Sequence, residues 1–222
     1  MIPVLLNESP TELTTAATDA LLAIECLVVI LFLRGAGATD RWRTTLWCWI
    51  FGLIGLSSTL GAIAHGFMLP DSVQAVLWRP LYLCLGILVA LFMVCAVYDW
   101  KGRSLAARLI PLSIGTGIAF FGLTELFSGA FLAFVVYEAL AMLGAFTIYV
   151  FLGVSGRLRG AGVIAIAILL NLLAAGVQAS DVSFHLLFPF DHNGVFHLIQ
   201  MAGIGTLFFG LLLGMQSNVT KK

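Results

Sequence analysis

Seven long apolar stretches, at about 17–33, 45–68, 75–98, 105–127, 130–153, 161–180 and 194–215, take up most of the 222-residue chain. A bilayer core of about 30 Å needs roughly 20 residues of helix at 1.5 Å each, and each stretch meets that requirement. Gly, Pro or charge separates each from the next. No ten-residue alternation of apolar and polar residues suggests a barrel, so the crossings are predicted as helices. Composition agrees: 61% of residues are hydrophobic and 10% charged, against about 45–50% and about 25% in a soluble domain. There is too little polar surface to coat a water-soluble globule. Disordered chains, nucleic-acid binders and disulfide scaffolds are excluded by the same figures. The expectation is one all-α domain over residues 1–222, a polytopic seven-helix membrane protein.

Lys and Arg in the short loops give the expected orientation. Arg34, Arg41 and Arg43 follow the first stretch, Lys101, Arg103 and Arg108 the third, Arg157 and Arg159 the fifth, and Lys221 and Lys222 end the chain. With seven crossings these ten residues fall on one side; Arg79 is the eleventh and the exception. Glu8, Glu12, Asp19, Asp71, Glu125, Asp181 and Asp191 fall on the other. The N-terminus is expected outside and the C-terminus inside, in a bacterial inner membrane or its equivalent. Cys26, Cys48, Cys84 and Cys95 lie within crossings and read as reduced packing residues.

Ionisable groups in hydrocarbon cost about 2.5–3.5 kcal/mol each on insertion scales, so each calls for a partner in the bundle. Glu25, His65, Arg79 and Glu138 are such groups, with Asn171, Gln178, His197 and Gln200 as polar companions. No lysine lies inside a crossing, which excludes a retinal Schiff base. Glu25 and Glu138 are left open between pairing with Arg79 and a structural hydrogen bond, and Arg79 is read as snorkelling to headgroups.

All four histidines fall on the outer side: His65 late in the second crossing, His185 and His192 before the seventh, and His197 one turn into it. Asp181 and Asp191 are beside them. Histidine is the commonest metal ligand, and a carboxylate can orient it. Spacing sharpens the pattern. Asn193, His197 and Gln200 form one stripe; Ser58, Gly61 and His65 form a second; Asn171 and Gln178 form a third. The stripes are expected to meet in one polar pocket, or else to serve as ordinary interhelical hydrogen bonds.

The segment Phe190-Asp191-His192-Asn193-Gly194-Val195-Phe196-His197, with Gly61-Ala62-Ile63-Ala64-His65 and Ala23-Ile24-Glu25, resembles motifs of the CREST superfamily of seven-helix membrane proteins. That group includes the alkaline ceramidases and the progestin and adiponectin receptors. The likeness covers the whole chain in topology and some twenty residues in motif. The same compact segment is also similar to that of a bacterial seven-helix family without assigned function. The resemblance implies zinc held by one histidine of helix two and two of helix seven, and hydrolysis of lipid amides. Position by position His65 and His197 correspond. Asn193 stands where the other helix-seven histidine is expected, with His192 next to it, and Gly61 stands at the helix-two serine.

Three functions follow as expectations. The first is a zinc-dependent hydrolase of a lipid amide or ester at the outer end of the bundle. His65, His192 and His197 would be metal ligands, Asp191 or Asp181 would act on the water, and Ser58 would polarise the substrate. Glu25, Asn193, Gln178 and Gln200 would complete the pocket. The second is a non-enzymatic subunit, receptor or lipid-binding scaffold, whose partners are membrane lipids and integral subunits. The third is a haem b carrier with His65 and His197 as axial ligands. Receptor chemistry of the G-protein-coupled kind is not expected, because Tyr98-Asp99-Trp100 lacks its residue order.

Overall fold

The computed structural model describes residues 5–36, 40–127 and 130–216. Backbone polar groups in hydrocarbon must be satisfied within the segment, so the apolar stretches fold as helices. They are α1 (Pro10–Gly35), α2 (Arg41–Gly66), α3 (Asp71–Lys101), α4 (Arg103–Leu126), α5 (Ala130–Val154), α6 (Ala161–Gln178) and α7 (His192–Gln216). All seven are long and apolar enough to cross a membrane. Lys221 and Lys222 lie outside the described residues. Two strand pairs join one end of the bundle: β1 (Leu5–Leu6) with β2 (Phe67–Met68), and β3 (Phe184–His185) with β4 (Pro189–Phe190).

Several helices run past the apolar stretches, and the reason is local. The α1 helix starts at Pro10, a residue preset for the first helical turn. It is helical through Thr15, Thr18 and Asp19 because that polar face is buried against other helices. The α2 helix starts at the Asp40 cap, whose carboxylate accepts the Arg43 backbone N–H at 3.0 Å. Gly160, just before α6, has φ +80°, a conformation open to glycine, and α7 passes against it at Gly210.

The helices pack in the order α1, α2, α3, α5, α6, α7 and back to α1, a closed ring of six. The α4 helix lies outside the ring, mainly on α3. That contact is tight because both surfaces lack side chains: a Cβ on Gly86 would lie 2.9 Å from the Gly117 carbonyl oxygen. Arg79 of α3 pairs with Glu125 of α4 at 3.0 Å on the outside of the ring. It is thus paired with neither Glu25 nor Glu138, because it faces away from the interior.

One end of the ring is locked by an ion pair. Arg43 Nε and Nη2 donate to Asp99 Oδ1 and Oδ2 at 2.6 and 2.8 Å, and both side chains are nearly inaccessible to solvent. The Tyr149 hydroxyl donates to Asp99 Oδ2 at 3.0 Å, so the lock joins α2, α3 and α5. The Tyr98 hydroxyl donates to Asp40, and Trp42 stacks on the Tyr98 ring. The paired fork geometry is the strongest form of such a contact. Its loss is costly chiefly because the surviving charge stays buried.

Asp99→Leu is therefore expected to destabilise the protein by about 3–5 kcal/mol in denaturant unfolding in detergent micelles. Arg43→Met combined with Asp99→Leu should recover most of that loss. Tyr149→Phe should cost about 1 kcal/mol, one hydrogen bond.

Candidate functional site

The ring encloses a cavity of about 400 Å³, within the range of small-molecule sites. It is lined by α1, α2, α3, α5, α6 and α7, with no side chain from α4. Along α2 the lining runs from His65 to Ile50, and along α7 from Asn193 to Leu207. At 1.5 Å per residue both spans are about 20 Å, so the cavity is long and narrow. Its deep end is apolar, with Ile50, Ile54, Leu88, Phe92 and Leu207 on the wall.

The polar end is built from α1, α2 and α7. His197 Nδ1 lies 3.0 Å from Thr18 Oγ1, which also donates back to the helix carbonyls of Thr14 and Thr15. A hydroxyl has one hydrogen. With that hydrogen on a carbonyl, Thr18 accepts from His197, which assigns the ring proton to Nδ1. Nε2 then faces Asp19 Oδ1 at 3.3 Å. Both side chains are buried. His65, one turn beyond Gly61 on α2, has its Nδ1 2.7 Å from Glu12 Oε2, and the edge of Trp78 packs on its ring.

The three stripes line this one cavity: Ser58, Gly61 and His65; Asn193, His197 and Gln200; Asn171 and Gln178. Gln178 Nε2 donates to Asn193 Oδ1 at 3.5 Å. Other expected site residues lie off the cavity. Asp191 caps α7, accepting from the Gly194 N–H at 2.9 Å and from the Thr15 hydroxyl at 3.1 Å. Both hydrogen bonds end on Oδ1, and the residue ties α7 to α1 at the mouth. Asp181 is exposed in the connection after α6, and His185 is exposed in β3. His192 is the first residue of α7 and faces away from the cavity wall. Glu25 sits on α1 near Gly205 of α7, with Oε2 buried and unbonded.

Asp19 is not among the expected site residues, because it counts there as one of the acids that mark the outer side. The available signal was the spacing of Thr15, Thr18 and Asp19, one helical face of small polar side chains. Asp19 also accounts for Gly61: a Cβ there would lie 2.5 Å from Asp19 Oδ2. The carboxylate occupies the space that a serine would need. As for a metal, no three His, Cys, Asp or Glu side chains among the described residues are grouped to hold one.

Gly61→Ala is expected to displace Asp19 and to cost about 1–3 kcal/mol by overpacking, read from unfolding in micelles. Thr18→Val removes the acceptor of His197 Nδ1–H. It should abolish the single-tautomer pattern of the His197 ring nitrogens in NMR of protein with isotope-labelled histidine.

No curated protein and no solved structure matches the chain. Residues 14–216, which take in all six ring helices, match the profile of a family of unknown function, DUF6962, and the chain belongs to that family.

Proposed function

We propose that this protein binds a single-chain amphiphile, with the chain lying along the apolar cavity and the polar head at Asp19, His65 and His197. The observation that carries the reading is the cavity itself: long, narrow, apolar at its deep end, and polar at the other. An acyl chain has that shape, and a hydrogen-bonding head would meet Gln178, Asn193, Gln200 and Ser58 as well. By the distribution of Lys and Arg, the polar end faces the outside and the Arg43–Asp99 end the inside.

A second reading is a zinc-dependent hydrolase of a lipid amide or ester, in keeping with the likeness to the ceramidases. One observation favours it. His65 and His197 each have Nδ1 beside an oxygen, the way a metal-binding histidine is oriented to bind through Nε2. Asp19 stands next to His197 and would replace the missing helix-seven histidine. Closing the three onto one ion requires side chains to move from the positions described. Bound zinc would supply an activated water; Asp19, His65 and His197 would hold it, and the cavity would orient the chain.

Displacement of a fluorescent long-chain fatty acid from protein in micelles tests the first reading. Saturable binding is expected, weakened at least tenfold by Leu85→Trp, which fills the lined space. Binding that ignores this substitution would overturn the proposal. Metal analysis separates the second reading. Stoichiometric zinc that is lost in both His65→Ala and His197→Ala, with release of fatty acid from a lipid amide, would establish it.

A further inference from the structure

The amphiphile-binding reading leaves a group of polar side chains unused halfway down the cavity. Glu138 of α5 is buried and lines the wall. Its Oε1 accepts from Asn171 Nδ2 of α6 at 2.8 Å. Among the described residues nothing bonds to its Oε2 or to Asn171 Oδ1. Ser57 of α2 lines the same cavity, but its Oγ is buried against the Cys84 thiol of α3 and is not presented to the interior.

Depth follows from contacts between helices. Gly203 packs against Asn171, and Gly203 is six residues beyond His197, about 9 Å deeper. The mid-cavity groups thus stand apart from the polar end along the cavity. Unsatisfied buried polar atoms cost free energy until something bonds to them. A plain hydrocarbon chain leaves all of them unbonded.

Resting on the amphiphile reading, we propose that Glu138 and Asn171 form a second subsite that selects amphiphiles with a hydrogen-bonding group, a hydroxyl above all, partway along the chain. A hydroxyl donates to Glu138 Oε2 or to Asn171 Oδ1, the oxygens that the Asn171–Glu138 bond leaves over. The head remains at Asp19 and His197. The subsite fixes which chain is taken, and it fixes how far in.

The test is competition against a bound fluorescent fatty acid, in micelles of fixed composition, by octadecanoic acid and by the same acid with a mid-chain hydroxyl. The hydroxylated acid is expected to compete five- to tenfold better, about one hydrogen bond. Glu138→Leu with Asn171→Leu removes both partners together, which spares the fold an orphaned amide. This variant should bind octadecanoic acid at least as well as the parent and lose the preference. Equal competition by the two acids on the parent protein, or a preference that survives in the variant, overturns the subsite while leaving the amphiphile reading standing. Failure of both acids to compete overturns the amphiphile reading, and the subsite with it.

Discussion

Apolar helices in hydrocarbon gain nothing from hiding from the lipid, so polar groups and close contacts decide how they meet. Here the polar groups are concentrated at two levels. At one level Arg43, Asp99 and Tyr149 bind α2, α3 and α5. At the other, Thr15, Thr18 and Asp19 of α1 engage Asp191 and His197 of α7. The second set closes the ring by joining its first and last helices. The cavity lies between the two levels, where the Asn171–Glu138 hydrogen bond ties α6 to its neighbour α5 and leaves the opposite walls apart.

The same arrangement explains the chemistry of the polar end. His197 is held on one side by a hydroxyl whose own hydrogen is committed to the backbone, and on the other by a carboxylate. His65 is held more loosely, at the rim, by the partly exposed Glu12. Capping by Asp191 sets where α7 begins, and hence that His197 enters the cavity one turn below the mouth.

Much of this was legible in the sequence. The length and apolarity of the stretches gave the seven helices, and helical spacing gathered the stripes of α2, α6 and α7 that line one cavity. What escaped was charged residues that served to mark the sides of the membrane. Asp19 counted among the acids of one side, and Arg43 among the arginines of the other. Asp191 looked chemical because it neighbours histidines, but a carboxylate three residues before a helical N–H is equally a cap. Periodicity gives the face of a helix and not its neighbour. The order of the ring, with α5 beside α3, could not be read from it.

That order has a consequence for α4. The α3 and α5 helices are neighbours in the ring, yet short turns reverse the chain after α3 and again after α4, so a chain that places them side by side needs a return journey between them. The α4 helix is that journey: a crossover connection, the membrane counterpart of the helix that links two parallel strands. Its sequence answers to the route of the chain and to one glycine-lined seam, and not to the shape of whatever the cavity holds. The lining of the cavity can therefore be rewritten residue by residue while one of the seven helices stays as it is.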